Sequence, residues 1–255
     1  NAVTKVGIAG GHGNYFVPSS NEIRIKGVAG FGIKSYDLLN DSYNKCAVYS
    51  IELKIDSITK FKYVMDEFPF SQSRYINSHI DYETYMRENT YIERAFRLPN
   101  DKLSTYKNLV NDGIFDFSDN KIHHVEIILA DVHNNKSSLD FNVISDSSLF
   151  SMDFPPEDKG LIMMPYDRTS KFRAQNITLT IPAGALYDTL FFSYKKDAGT
   201  PQMLSDVHYV HNKYSPLQKA FTLSIKPALI PYGKESKMLI VQLSDDFKKS
   251  ALAST

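Results

Sequence analysis

Apolar and polar residues alternate with a period of two along most of this chain of 255 residues. In the stretch VYSIELKID, Ile51, Leu53 and Ile55 fall on one side, and charged residues separate them. Because successive side chains of a β-strand point to opposite faces, this spacing predicts strands with one buried face. The sequence therefore predicts an all-β fold. Other runs of this kind are NEIRIKG, FKYVMD, HHVEIILADV, SLDFNVI, NITLTIP, DTLFFSY, AFTLSIK and KMLIVQL.

A change of composition divides these runs into two groups. The stretch SDSSLFSMDFPPEDKG, residues 145–160, contains four serines and a pair of prolines and shows little alternation. Such a composition is typical of a linker between domains. We predict two tandem antiparallel β-sandwich domains of Ig-like type, at residues 1–146 and 171–255, joined by a linker at 147–170. Within the first, VHNNKS is the predicted turn of a hairpin between HHVEIILADV and SLDFNVI.

Residues 70–115 depart from the alternation and predict a short, partly helical insert in the first domain. DYETYMREN, residues 81–89, and DKLSTYKNLV, residues 101–110, have the spacing of short helices. In the second stretch, Leu103 and Tyr106 fall on one helical face, and an Asn-Asp-Gly sequence follows as a stop signal.

Composition argues against several classes of function. The chain has 29 basic and 29 acidic residues, so no overall charge favours nucleic acid or an anionic membrane. The apolar runs are too short to span a bilayer. Cys46 is the only cysteine, so neither an intrachain disulfide nor a cysteine-rich zinc cluster can form. We therefore expect neither nucleic-acid binding nor a membrane-spanning segment.

The insert contains a dense group of side chains that can carry out chemistry. In SRYINSHIDYETY, residues 73–85, the polar candidates are Arg74, His79, Asp81 and Glu83. They are either a catalytic or metal-binding group or the polar face of a structural insert. Because His79 and Asp81 have no third ligand nearby in sequence, we favour a salt bridge from Arg74 to one of the carboxylates.

Tyrosines are concentrated in the same insert and allow two interpretations. The rings form an exposed recognition patch, or they pack the insert onto the sheet, which we favour because a small insert needs its rings for its own core. These rings are Tyr75, Tyr82, Tyr85, Tyr91 and Tyr106. In the first case, the residues predicted to bind a ligand are Arg74, Tyr75, His79, Asp81, Tyr82 and Tyr85.

The seven histidines are not spaced for a metal site. His208 and His211 lie in a strand-like stretch, where a separation of three directs the side chains to opposite sides. His123 and His124 diverge for the same reason. The sequence also lacks the Gly-x-Ser-x-Gly, His-Glu-x-x-His and Walker patterns. We predict no catalytic residue and no metal ligand, and a metallohydrolase built from scattered histidines is the least favoured hypothesis.

Three long stretches resemble a known family. They are VYSIELKID with RYINSHIDY, then RLPNDKLSTYKNLVNDGIFDF, and then LTIPAGALYDTLFF with HNKYSPLQKAFTLSI. They resemble the region C-terminal to the catalytic domain in lysostaphin-like (LytM-type) zinc endopeptidases of the cell envelope. The resemblance extends over most of the chain, and IPAGALYDTL also resembles the start of ZU5-type β-sandwich modules.

The resemblance implies a place in the cell envelope or periplasm, with peptidoglycan or an envelope protein as partner. In that family, His-x-x-x-Asp and the first histidine of His-x-His bind zinc, and this sequence contains neither pattern. The segment is therefore expected to be non-catalytic and without a cofactor, with zinc only in a catalytic domain upstream of Asn1. The end of the chain, DDFKKSALAST, comes early for the family, which implies an incomplete second sandwich.

Two functions follow as hypotheses. In the first, the chain is a non-catalytic accessory region of a murein metalloendopeptidase that positions the catalytic domain or docks an envelope partner. In the alternative, it is an independent glycan- or peptide-binding module that uses the tyrosine-rich insert. Fold alone does not choose between them.

Overall fold

The computed structural model describes residues 3–38, 45–146, 148, 161–244 and 250–252 of the protein. Strands account for 41% and helical elements for 10%, which confirms the predicted all-β, sandwich-type fold. Contacts divide the described residues into two compact units. Unit 1 comprises those before residue 160 together with Lys213–Gln218, and unit 2 comprises the others.

Unit 1 combines many short strands with a few helical turns. Its strands are β1 (Ala9–Gly11), β2 (Asn14–Phe16), β3 (Ile23–Ile25), β4 (Gly27–Ala29), β5 (Gly32–Ile33), β6 (Asp37–Leu38), β7 (Lys45–Cys46), β8 (Ser50–Ile55), β9 (Ile58–Val64), β10 (Glu93–Arg94), β11 (Tyr106–Leu109), β12 (Phe115–Phe117), β13 (Ile122–Ala130) and β14 (Lys136–Ser145). Its helical elements are the 3₁₀-helix η1 (Phe70–Tyr75), α1 (Ile76–His79), α2 (Tyr82–Glu88) and the 3₁₀-turn η2 (Asn111–Gly113).

The main sheet of unit 1 runs in the order β1-β2-β14-β13-β8-β9-β11, and β3 also pairs with β14. Strands β13 and β14 are antiparallel, with a register from Ile122–Ile144 to Ala130–Lys136. This pairing confirms the hairpin predicted around VHNNKS. Strands β8 and β9 are joined by Asp56 and Ser57, whose positive φ angles of 52° and 65° suit a tight hairpin turn.

The core of unit 1 lies between the main sheet and two short strand pairs, β4–β12 and β5–β10. From β8, Ile51, Leu53 and Ile55 are fully buried, as their alternation predicts. The short pairs contribute Ile33 and Phe117 to the same apolar cluster. Burying these side chains between two layers is the main favourable contribution to the stability of the unit.

The helical prediction for the insert is correct in its first part and wrong in its second. Residues 81–89 form α2, whereas residues 101–110 contain strand β11. Tyr106 pairs with Tyr63 of β9, so this segment extends the main sheet. Backbone pairing with an existing strand edge outweighs the weak helical spacing.

Unit 2 consists of short antiparallel pairings around a smaller core. Buried Ile177, Leu179 and Ile181 alternate along one strand of a three-stranded sheet in the order β16-β17-β21. Other pairs are β15–β18, β19–β20 and β22–β23. The elements are β15 (Ile162–Met164), β16 (Ser170–Ala174), β17 (Ile177–Ile181), β18 (Leu190–Phe192), β19 (Tyr194–Asp197), β20 (Val207–Val210), β21 (Thr222–Ile225), the 3₁₀-turn η3 (Glu235–Lys237), β22 (Val241–Leu243) and β23 (Ser250–Leu252).

The predicted linker at 147–170 falls mainly on residues outside the described part of the chain. Its last portion is described and differs from the prediction, because β15 pairs with β18 and Met164 is 1% exposed. A strand that buries its side chain in a core is part of a domain rather than of a linker. The error has a simple cause, since three strand residues are too few to show alternation.

Candidate functional site

Within the insert of unit 1, the helix α2 is capped by the side chain of Asp81. This carboxylate precedes α2 and accepts hydrogen bonds from the Thr84 backbone N–H at 3.4 Å and the Thr84 hydroxyl at 2.6 Å. Both contacts satisfy the first turn of the helix, as an N-cap does. The helix ends at Asn89, which adopts a left-handed conformation. Asp81 therefore starts a helix, and its two oxygens are occupied by this role.

Replacing Asp81 by alanine is expected to lower the free energy of unfolding by about 1 kcal/mol, the usual cost of a lost N-cap. Urea denaturation followed by circular dichroism measures the change. Asp81→Ser is the control, because serine also caps helices and should restore most of the difference. A serine variant as unstable as the alanine variant would show that the cap is not what Asp81 contributes.

His79, the last residue of α1, is buried against the main sheet. Its ring is 2% exposed and stacks on Tyr63 of β9, with 4.2 Å between ring centroids. Its Nδ1 lies 3.4 Å from the hydroxyl of Tyr106 on β11. Burial, helped by the positive charge of Arg94, lowers the pKa of His79 to about 3. The imidazole is therefore neutral at physiological pH and ties α1 to the main sheet.

Asp101 is the hydrogen-bond centre of the same region. This carboxylate is 3% exposed and accepts from the Leu103 backbone N–H at 3.0 Å, the Ser78 hydroxyl at 2.7 Å and the Tyr106 hydroxyl at 2.8 Å. Burial raises the pKa of Asp101, and its three donors oppose that rise. The carboxylate joins the insert, through Ser78, to the strand that carries Tyr106.

Glu93, the first residue of β10, completes the group. It is 7% exposed, and its Oε2 accepts a hydrogen bond from the Ser35 hydroxyl at 3.1 Å. Its Oε1 lies 3.9 Å from Nε2 of His79, an atom without a hydrogen-bond partner among the described residues. Burial raises the pKa of Glu93 to about 7. We refer to Ser78, His79, Glu93, Asp101 and Tyr106 as the buried cluster.

The structure gives Asp81 and Glu83 other arginine partners than the predicted Arg74. Asp81 lies 3.8 Å from the guanidinium of Arg94, and Glu83 pairs with Arg87 at 2.8 Å. Arg74 is exposed, and its Nη1 donates to the carbonyl oxygen of Gln218, which belongs to the same unit, at 3.4 Å. The spacing of three or four residues that makes ion pairs on a helix selects Arg87 for Glu83.

Three tyrosines form an aromatic surface on the insert. Tyr82 and Tyr85 are half-buried on α2, and Tyr91 is 47% exposed just beyond it. The ring centroids of Tyr85 and Tyr91 are 4.5 Å apart, and those of Tyr82 and Tyr85 are 6.3 Å apart. We refer to Tyr82, Tyr85 and Tyr91 as the tyrosine face. Tyr106, in contrast, packs inward against Phe61 and Tyr63, as the packing interpretation of the tyrosines predicts.

The predicted binding residues thus separate into two groups. Arg74, Tyr82 and Tyr85 reach the surface, and Tyr75 is half-buried beside them in sequence. His79 does not fit the prediction, because a ring that is 2% exposed cannot touch a ligand while the insert is folded. Sequence analysis did not identify Glu93 or Asp101 as members of a buried cluster. Glu93 meets Ser35, and Asp101 meets Ser78, only because the fold brings distant parts of the chain together.

His123 and His208 each have side-chain partners of their own, in different parts of the chain. His123 lies between two carboxylates, Asp56 at 2.7 Å and Asp119 at 2.9 Å. Burial acts to lower the pKa of His123, but the hydrogen bonds that its ring makes to these carboxylates raise the pKa overall. In unit 2, Nδ1 of His208 contacts the Tyr194 hydroxyl at 2.8 Å. Within the described ranges, no group of three or more His, Cys, Asp or Glu side chains is arranged to hold a metal ion.

Fold and site together define an all-β, sandwich-type protein with a buried polar cluster under a tyrosine-bearing insert. Residues 162–255 match the family described as Zu5-like domain, so a Zu5-like domain begins at the first residue of β15. This confirms the resemblance to ZU5-type modules predicted from IPAGALYDTL. No curated protein and no solved structure matches the chain. In the described part of the chain, no helix has the length and apolar character needed to cross a membrane.

Proposed function

We propose that the chain is a non-catalytic accessory region of a murein metalloendopeptidase in the cell envelope. Its role is to position a catalytic domain or to dock an envelope partner, with peptidoglycan or an envelope protein as that partner. The Zu5-like domain at 162–255 supports this proposal. Its other basis is the sequence resemblance of most of the chain to the C-terminal regions of LytM-type endopeptidases. Zinc belongs, in this proposal, to the catalytic domain and not to this segment.

The observation that carries the proposal is how the insert uses its side chains. The residues that resemble catalytic groups have structural roles, since His79 stacks on Tyr63 and Asp81 caps α2. The tyrosine face, in contrast, stands at the surface, on α2 and just beyond it. The buried cluster holds α1, which leads directly into α2. Rigid aromatic rings at a surface suit recognition, because they offer a large contact area at a small cost in conformational entropy.

The enzymatic part of the proposal is tested with the purified chain and muropeptides in the presence of Zn²⁺. We expect no release of cleaved peptide cross-links, as followed by chromatography of the products. The test includes a His79→Gln variant, because it removes the imidazole nearest to a carboxylate in the insert. Hydrolysis by the wild-type chain that the His79→Gln variant loses would contradict a non-catalytic role.

The exposed Tyr85–Tyr91 pair also favours the second candidate function, an independent glycan- or peptide-binding module. A binding site centred on two aromatic rings should depend on them strongly, since such anchors each contribute about 2 kcal/mol or more at recognition surfaces. We therefore expect the double variant Tyr85→Ala, Tyr91→Ala to bind insoluble peptidoglycan at least tenfold more weakly than the wild type, as measured by co-sedimentation.

Two controls make this test specific. The double variant Tyr85→Phe, Tyr91→Phe keeps the rings and should retain most of the binding. Tyr209→Ala removes a tyrosine of unit 2 that is 39% exposed and should leave binding unchanged. Equal binding by the wild type and the double alanine variant would exclude the tyrosine face as the peptidoglycan site, and the docking role would then require an envelope protein.

A further inference from the structure

Two ionisable side chains from different elements meet inside unit 1. His79 closes α1 and Glu93 opens β10, and the two are 2% and 7% exposed. The distance from Glu93 Oε1 to His79 Nε2 is 3.9 Å, slightly longer than a hydrogen bond. Buried polar atoms in native proteins nearly always have a partner, so an imidazole nitrogen facing a carboxyl oxygen without a hydrogen bond calls for an explanation.

The hydrogen bonds around the pair determine which nitrogen of His79 carries the proton. The Tyr106 hydroxyl donates its single hydrogen to Asp101 at 2.8 Å, so its oxygen is left to accept from Nδ1 of His79. A neutral imidazole protonated at Nδ1 has a lone pair on Nε2. That lone pair faces Glu93. An ionised Glu93 would direct an oxygen lone pair at the lone pair of Nε2, and neither atom could donate a hydrogen bond. A protonated Glu93 can donate a hydrogen bond to Nε2.

The surroundings of the pair favour the protonated form of Glu93. Around the pair, Ser35 after β5 donates to Glu93, Tyr63 of β9 stacks on His79, and the Tyr106 hydroxyl of β11 contacts Nδ1 of His79. Asp101 is hydrogen-bonded to that Tyr106 hydroxyl, and Arg94 follows Glu93 in β10 and acts electrostatically on His79. Arg94 carries the positive charge of this set, and its Nη1 donates to the carbonyl oxygens of Ser78 and Ile80. Glu93 itself accepts a hydrogen bond from the neutral Ser35 hydroxyl. A charge placed here is poorly compensated.

We propose that Glu93 and His79 form a proton-dependent latch: protonated Glu93 donates to His79 and holds α1 against β10, and ionised Glu93 releases it. The inference rests on the docking role proposed for the tyrosine face, because α1, which ends at His79, leads directly into α2 with Tyr82 and Tyr85. The latch would therefore control how firmly this face is held.

The latch works near neutral pH and has access to solvent. Burial raises the pKa of Glu93 to about 7, so its carboxyl loses the proton within the physiological range. A cavity of about 260 Å³ opens between the layers of unit 1, and Ser35 is among its lining residues together with Ile33 and Leu139. The cavity is large enough to admit water, which would meet Ser35, the hydrogen-bond partner of Glu93, and could exchange a proton there.

Hydrogen exchange of the backbone amides in residues 76–88 measures the opening of the insert directly. The wild type is compared with Glu93→Gln, whose amide can donate to His79 at every pH. We expect the protection of the variant, relative to the wild type at the same pH, to grow about tenfold between pH 6 and pH 8. The titration of His79 affects both proteins and cancels in this ratio. Glu67→Gln, an exposed position, is the matched control and should show no change.

A protection ratio that does not change with pH would overturn the latch. If Glu93→Gln does not fold, carbon-13 NMR of the wild-type Glu93 carboxyl decides instead: a midpoint near 7 supports the latch, and one near 4.5 excludes it. The exchange measurement needs no ligand. The two proposals can therefore fail separately. If the protection ratio changes with pH as expected but the double tyrosine variant still binds peptidoglycan normally, only the docking site is refuted. If the double tyrosine variant loses binding but the protection ratio does not change with pH, only the latch is refuted.

Discussion

Replacing Asp101 by alanine is expected to lower the free energy of unfolding of unit 1 by about 3 kcal/mol. The carboxylate receives three hydrogen bonds inside the protein, from Leu103, Ser78 and Tyr106. Each buried donor that loses its acceptor costs about 1–3 kcal/mol, although Ser78 keeps the Tyr75 carbonyl oxygen as a second acceptor. The loss should therefore be several times that expected for the N-cap residue Asp81.

The control for Asp101 is another aspartate with similar bonding at the surface. Asp131 accepts from the backbone N–H groups of His133 and Asn135 at 2.9 and 2.8 Å, but it lies in an exposed turn. Water can replace this acceptor, so Asp131→Ala should lower the free energy of unfolding much less than Asp101→Ala. Urea unfolding monitored by tyrosine fluorescence gives both values. Equal losses in the two variants would show that burial does not set the contribution of Asp101.

The strands that could be predicted from the sequence are those whose partners are close along the chain. The hairpin of β13 and β14 combines long alternation with a short turn, and both signals lie within about 25 residues of sequence. The tight turn at Asp56-Ser57 fixes β8 beside β9 in the same way. In such cases the local pattern and the global fold favour the same structure, which makes the prediction reliable.

The strands that were missed depend on distant partners. Residues 101–110 have the spacing of a helix, and the pairing of Tyr106 with Tyr63 across more than 40 positions makes part of them a strand. Strand β15 is only three residues long and is defined by its pairing with β18. Local propensity is weaker than the gain from completing a sheet and burying a side chain, so neither strand could be identified from its own residues.

The candidate site shows the same limit more strongly. Arg74, His79 and Asp81 attracted attention because polar residues are dense in one short stretch. In the structure, Arg74 makes a surface contact, His79 stacks on a buried ring, and Asp81 caps a helix. The side chains that determine the protonation of His79 are Glu93 on β10 and Tyr106 on β11. Contacts of this kind arise from the fold, and residue spacing does not reveal them.

Replacing Glu93 by glutamine is expected to stabilise the protein at alkaline pH. The pKa of Glu93 in the folded protein, about 7, lies above the ordinary value of 4.5, so folding favours its protonated form. The stability from this group is complete below pH 4.5 and is lost as the pH rises through 7. At about 1.4 kcal/mol for each pKa unit, the loss at pH 8 is about 3 kcal/mol. Glutamine cannot ionise, so the variant should avoid this loss.

The variant should accordingly exceed the wild type by about 3 kcal/mol at pH 8 and by less than about 1 kcal/mol at pH 5, in urea unfolding at matched ionic strength. His79 acts in the opposite direction. Its pKa in the folded protein is about 3, so its contribution is lost as the pH falls below 6.5, equally in both proteins. Opposing titrations within one buried pair confine the greatest stability of the wild type to mildly acidic pH. Glu93→Gln removes only the loss of stability at alkaline pH. If the variant instead exceeds the wild type in free energy of unfolding by the same amount at pH 5 and pH 8, glutamine improves packing and the proton on Glu93 is irrelevant.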